Sequence, residues 1–307
     1  MTARIGVDVG GTRLKLGWIR DGDVCGRSVV GVGPDARSAA GLVSVLAAEV
    51  DAMQHRFGAV QSVGLGVAGV LSSDGRRVLQ SPNLPWLDGV ALVDTLQSAI
   101  ALPVAADNDA NCVGWGEAMV GAGAGAPRQV CLALGTGTGG SLVLDGRLLR
   151  GERGRGVELG HLCVHPGGPA CGCGGRGCLE QYASQTGIDR MLRGLGVSDG
   201  ENAAFRVRRA FDQPEHPAHA AAINAAGRAL GVAMAVFSRW LDVPLYVLAG
   251  GLAAGADQLR PALDAALWRE GVDPDAIEIR VGTLGVDAGT IGAALLADAP
   301  RGAARLS

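Results

Sequence analysis

Apolar residues alternate with polar or small ones from Arg4 to Ile19, interrupted by the glycines of DVGGT and closed by Asp21-Gly22. Period-two alternation on both sides of a glycine turn predicts strand, tight turn, strand. The plan returns between Val130 and Leu144: the run CLAL, the turn GTGTGG, the run SLVL, and again a terminal Asp-Gly at Asp145-Gly146. Two copies of one plan imply an internally duplicated chain. Between them the pattern predicts a helix over Ser38 to Phe57, a strand SVGLGVAG at 62 to 69, a helix near 90 to 100 and a short strand around Pro103 to Ala106. This alternation argues for α/β layering. Past residue 180, Ala218 to Leu241 has the spacing and alanine content of a long helix. The strand PLYVLAGG follows, then a helix from Asp257 to Glu270 and a closing helix from Asp287 to Ala297. At 307 residues, two lobes around a cleft are expected. The division is placed near residue 112: an N-terminal lobe of residues 1–112, joined by a closing helix at about 288–307, and a C-terminal lobe of residues 113–287.

Composition narrows the partners. A formal charge of −3 and a pI near 6.0 give no broad basic field, so nucleic acid is not an expected partner. No segment at the N-terminus has signal-peptide character, and no uncharged stretch reaches the roughly 20 residues of a membrane helix. A cytoplasmic protein that does not engage membranes is expected. Seven cysteines suit no simple disulfide framework, and three of them crowd into residues 171–178, which in a reducing compartment reads as metal binding.

The two glycine turns, Gly10-Gly11-Thr12 and Gly135-Thr136-Gly137-Thr138, can present backbone N–H groups closely to phosphate oxygens, with threonine hydroxyls as further donors. A P-loop is excluded, because the only lysine, Lys15, lies outside any GxxxxGK[ST] pattern. Gly135, Gly137 and Gly140 spell the dinucleotide fingerprint, but SLVLDG after them reads as a strand, where a Rossmann site must open a helix. The remaining class is the duplicated actin-like and hexokinase-like (ribonuclease H-like) ATPase fold, which clamps phosphates between paired strand–turn–strand hairpins. The phosphates imply magnesium, for which Asp8 is a candidate outer-shell partner. Gly250 and Gly251, after LYVLA, either leave room for adenosine or make an ordinary strand-to-helix turn.

His161 followed by CGCGGRGC supplies one imidazole and the thiols of Cys171, Cys173 and Cys178 within loop 161–178, the donor set of structural tetrahedral zinc. Cys163 and His165 lie on the same face as His161 if the segment is extended, so either could replace it. In the run Asp107-Asn108-Asp109, one carboxylate can cap a helix and another can act as a base, and spacing alone does not separate them.

Together, GVDVGGT at 6–12, DNDAN at 107–111, LGTGTGG at 134–140, ELGHLCVHPGGPACGCGGRGCLEQYAS at 158–184, AGG at 249–251 and DAGTIGAA at 287–294 resemble the ROK family of bacterial sugar kinases and repressors. CLEQYAS is most similar to the family's glucokinases. The resemblance implies ATP-dependent phosphorylation of a hexose 6-hydroxyl, with glucose as the first expectation and N-acetylglucosamine, N-acetylmannosamine, fructose or allose as alternatives. It implies Asp109 as the base, Asn108 and Asn83 as sugar contacts, and Glu158, His161 and Glu180 on the other side of the ring, with zinc orienting Glu158 through His161. Assembly as a homodimer or homotetramer is also implied. Ala68 stands where the family commonly has proline, and NLPWLDG is one residue shorter than usual; both touch the sugar-facing loops. A repressor would need a helix-turn-helix ahead of the first glycine turn, and that turn begins at Gly10.

Overall fold

The computed structural model describes residues 2–197, 200 and 202–299. It opens on β1 (Ala3–Val9), β2 (Arg13–Arg20) and β3 (Asp23–Gly31), followed by α1 (Ala39–Phe57), β4 (Val63–Val67), the two-stranded ribbon β5 (Val70–Leu71) and β6 (Val78–Gln80), α2 (Leu92–Ile100), β7 (Val104–Asn108) and α3 (Asp109–Val120). Next come β8 (Gln129–Leu134), β9 (Thr138–Leu144) and β10 (Arg147–Leu148), then α4 (Glu180–Ala183), α5 (Gln185–Gly194), α6 (Ala203–Asp212) and α7 (Pro217–Leu241). The chain closes with β11 (Leu245–Ala249), α8 (Ala256–Arg269), β12 (Glu278–Val281) and α9 (Ala288–Ala294).

The duplication is visible strand by strand. One sheet has the order β3-β2-β1-β4-β7 and the other β10-β9-β8-β11-β12. In the first, β1 and β2 are antiparallel while β4 and β7 run parallel to β1; in the second, β9 and β10 are antiparallel while β11 and β12 run parallel to β8. The Asp-Gly pairs do not end the hairpins. Asp21-Gly22 and Asp145-Gly146 take φ values of 53°, 93°, 50° and 70°, the left-handed pair that turns a strand back on itself, and each leads into a third strand.

The chain divides into two compact units, residues 1–127, 141–157 and 284–307 forming the first and 128–140 and 158–283 the second. The boundary expected near residue 112 falls inside α3, which packs on α9 and shares a core of Cys112, Trp115 and Ala118 with Val143, Leu148 and Leu296. That core keeps the chain in the first unit as far as Pro127 and draws 141–157 into it. The expected closing helix ends as α9 and a 3-10 turn, Leu295–Asp298, while residues 300–307 lie outside the described residues.

In the first unit, α1 begins at Ser38, whose hydroxyl accepts from Gly41 N at 3.0 Å, and stops at Gly58 with φ 105°. Leu42, Leu46 and Val50 bury its inner face against Ile5, Val7 and Leu65. Each such side chain contributes about 1.5–3 kcal/mol. β4 is buried at every residue, as expected of a parallel strand covered on both faces. A Cβ at Gly64 would lie 1.7 Å from Ala293 O, so α9 rests directly on the strand backbone. In the second unit α7 packs on α8. By length and composition it is the one helix among the described residues that could cross a membrane; 61% of its most apolar stretch is buried within the fold.

Candidate functional site

Each unit carries part of the expected site. In the first, Gly10, Gly11 and Thr12 form the β1–β2 turn, held by Gly10 N donating to Arg13 O at 3.1 Å and by Val32 N donating to Thr12 O at 2.9 Å. Asn83 is exposed, with its backbone carbonyl beside Gly11. Asp8, the expected outer-shell partner of magnesium, pairs with Lys15 directly opposite it on β2, at 3.0 Å. Such an exposed pair contributes about 0–1 kcal/mol and gives way easily to a metal-bound water.

The three residues of DND separate cleanly. Asp107 is buried at the end of β7: Oδ1 accepts from Asn108 N and Asn111 Nδ2, both at 2.8 Å, and Oδ2 accepts from Arg150 Nε. Asn108, not an aspartate, is the helix cap. Its Oδ1 accepts from Ala110 N at 2.9 Å and Asn111 N at 3.2 Å, and its Nδ2 donates to Gly69 O at 3.0 Å. The side-chain amide implied as a sugar contact is therefore engaged at both ends in starting α3 and holding the 69–70 loop. Asp109 is the first residue of α3, half-buried, its Oδ1 taking the amide of Ala110 at 2.9 Å. Asp107 is committed to structure, whereas Asp109 sits half-buried at the head of α3.

In the second unit the turn Gly135–Thr138 has its carbonyls occupied from inside. Gly135 O accepts from Gln185 N at 2.9 Å, Thr136 O from Thr186 N at 3.2 Å and Thr186 Oγ1 at 2.9 Å, and Gly137 O from Gly135 N at 2.9 Å. The amides of Thr136 and Gly137 have no partner among the described residues, so the turn keeps two uncommitted donors of the kind an anion site uses. Gly250, at φ 85°, follows β11; a Cβ there would lie 2.5 Å from Leu134 O, at the root of the same turn. Gly251 beside it is exposed.

His161, Cys171, Cys173 and Cys178 converge, with their ligand atoms all within 4.8 Å of one another. Cys173 Sγ and Cys178 Sγ are 3.6 Å apart, as are Cys171 Sγ and His161 Nδ1. A tetrahedron of 2.3 Å zinc–sulfur bonds has an edge of about 3.8 Å, so three thiols and an imidazole at this spacing fit zinc. Burial and the facing thiols push Cys178 up to about 12, whereas a backbone N–H from Gly175 lowers Cys173. A dication would offset the cost of ionising Cys178. Neither Cys163 nor His165 belongs to the cluster: Leu159–His161 is a 3-10 turn, not an extended segment, and Cys163 instead bridges backbone-to-backbone with Cys178. Glu158 is exposed, and its carbonyl accepts from His161 N at 3.0 Å. Glu180, at the start of α4, takes the amide of Thr138 on Oε2 at 3.0 Å and has Oε1 3.9 Å from Cys171 Sγ. Glu180 thus touches both the glycine turn and the cluster, a connection across 42 positions that no local pattern signals.

Two sheets of one strand order, each opening on a strand–glycine turn–strand hairpin, define the duplicated actin-like ATPase fold. Within that class the model of the ROK family matches residues 4–299, and the chain belongs to the ROK family. It is 31% identical to a glucokinase of Halalkalibacterium halodurans over 94% of this chain and 92% of that protein. It is 32% identical to an N-acetylmannosamine kinase of Escherichia fergusonii, over 95% and 97%. Among solved structures, a ROK family glucokinase from Streptomyces griseus in complex with glucose and AMPPNP is 30% identical with a TM-score of 0.80, covering 96% of this chain and 98% of that one.

Proposed function

We propose that this protein is an ATP-dependent sugar kinase that phosphorylates the 6-hydroxyl of a hexose, with glucose as its substrate. The observation that carries the reading is the pair of uncommitted amides in the Gly135–Thr138 turn, together with Asp109 at the head of α3. Phosphoryl transfer is catalysed mainly by positioning and charge stabilisation, with a carboxylate to accept the hydroxyl proton. Asp109 takes that proton. The glycine turns receive the phosphates of ATP through Gly10, Gly11 and Thr12 and through Gly135, Thr136 and Gly137; Thr138, expected among these ligands, has its amide and hydroxyl taken by Glu180 and Ala183 and serves instead to anchor its turn. Gly250 and Gly251 make room for adenosine. Magnesium, when bound with the nucleotide, neutralises phosphate charge, and Asp8 orders its water shell. Asn83, Glu158, His161 and Glu180 are assigned to the sugar, with Asn108 contributing by fixing the start of α3. His161, Cys171, Cys173 and Cys178 bind structural zinc, which fixes His161 and through it the backbone of Glu158. The charge, the family and the absence of any basic field support a cytoplasmic enzyme acting on small molecules, working as a homodimer or homotetramer.

The relative acting on N-acetylmannosamine is as similar as the glucokinase, which supports a second reading of the same reaction with a 2-acetamido sugar. A coupled ADP-release assay over glucose, fructose, allose, N-acetylglucosamine and N-acetylmannosamine decides between them. Turnover with glucose exceeding the others at least tenfold in kcat/KM is expected. Preference for an acetamido sugar would move the assignment to the second reading, and no turnover with any sugar would remove both.

A further inference from the structure

The glycine turn of the second unit does not hold its own shape. Its only internal bond is Gly135 N to Gly137 O at 2.9 Å. Further bonds that fix it come from residues 180–186, the segment that begins two residues after Cys178. Gln185 and Thr186 bind the carbonyls of Gly135 and Thr136, Ala183 O accepts from Thr138 Oγ1 at 3.0 Å, and Glu180 Oε2 accepts from Thr138 N at 3.0 Å. The segment is itself braced: Ser184 Oγ donates to Glu180 O at 2.6 Å and accepts from Gly187 N at 2.9 Å. Thr138 is 6% exposed, so its amide is an anchor and not a phosphate donor. A Cβ on Gly137 would lie 2.4 Å from Glu180 Oε2, so the peptide at the tip of the turn packs directly on this carboxylate. The other oxygen of Glu180 faces Cys171.

We propose that Glu180 is a positioning residue for the nucleotide, beyond any contact it makes with sugar: its carboxylate holds the phosphate turn in register and carries the order of the Cys/His cluster to it. This rests on the kinase reading above for the identity of the anion, but the tie itself is a property of the second unit alone. A carboxylate accepting a buried amide makes a stronger bond than a neutral acceptor would. Losing it leaves the Thr138 N–H without a partner and a void beneath Gly137. The turn then samples other geometries, the Thr136 and Gly137 amides lose their fixed placement, and nucleotide binds more weakly even with no sugar present. A residue serving only as a sugar ligand would leave nucleotide affinity in the absence of sugar untouched.

The test compares wild type, Glu180→Ala and Glu180→Gln in the zinc-loaded full chain, with equal zinc content and melting behaviour as the folding control. Glutamine keeps a carbonyl oxygen for the Thr138 amide and is the variant that guards against a trivial folding defect. The first readout is binding of magnesium-AMPPNP without sugar. The expected result is a Kd about tenfold higher for Glu180→Ala and within about threefold of wild type for Glu180→Gln. The second is amide exchange resolved at Thr138 with no ligand at all. It should accelerate at least tenfold in Glu180→Ala and in zinc-stripped wild type, and stay near wild type in Glu180→Gln. Unchanged AMPPNP affinity in Glu180→Ala, or tighter binding from removal of a negative charge, overturns the proposal, as does unchanged exchange at Thr138. A wild-type protein that binds no AMPPNP yet shows the Thr138 exchange pattern would instead remove the kinase reading and leave the structural tie standing.

Discussion

Asp107 and Asp109 are two positions apart and have opposite fates, and the reason lies in Arg150. Asp107 is 5% exposed and spends both oxygens on Arg150, Asn111 and the Asn108 amide. A buried charge pair adds little net stability, but removing one partner strands the other at a cost of about 3–5 kcal/mol. Arg150→Met should therefore lower the melting temperature by several degrees, and the double variant with Asp107→Asn should cost less than the sum of the two singles in thermal denaturation. Asp109→Asn should leave melting unchanged within a degree or two, because the residue is half-buried at a helix start and asparagine keeps the Oδ1 that accepts from Ala110 N. The sequence run DND does not reveal this division, since the arginine that decides it lies 43 residues away. The resemblance to the family pointed to Asp109 without saying why Asp107 is unsuitable.

At the level of elements, what is legible depends on how local its cause is. The two hairpins, α1, α7 and β11 follow from alternation, helical spacing and capping, and the Cys/His loop from ligand spacing. β3 escapes notice because Asp21-Gly22 reads as a terminus and DVCGRSVVG mixes polar, charged and glycine residues with its apolar ones. α3 escapes because DANCVGWGEAMV contains two glycines and no amphipathic stripe; its helix depends on the Asn108 cap and on burial against α9. The packing of α9 on β1 and β4 requires bare backbone. Gly64→Ala should displace α9 and cost more than about 3 kcal/mol, well beyond a cap substitution such as Ser38→Ala at about 1 kcal/mol, both read from urea unfolding. Equal losses in the two variants would mean that α9 adjusts freely to a side chain at that position.

For the whole molecule, duplication gives each unit one glycine turn, and the two turns differ in what stabilises them. In the first, bonds with Arg13 and Val32 hold the turn and Asn83 O lies beside Gly11, whereas in the second the turn leans on the segment following the Cys/His loop. Stripping zinc with a chelator should accordingly raise hydrogen exchange across residues 158–187 while β1, β2 and α1 keep their protection, by mass spectrometry of the intact chain. The central claim is phosphoryl transfer from ATP to a sugar hydroxyl with Asp109 as the base. Its most direct measurement is single-turnover formation of hexose 6-phosphate from ATP and glucose, followed by phosphorus NMR, in wild type and Asp109→Asn. The account predicts product with wild type and a rate lower by a factor of about 10² to 10⁴ in the variant, with AMPPNP affinity preserved. Equal rates in the two proteins would contradict it.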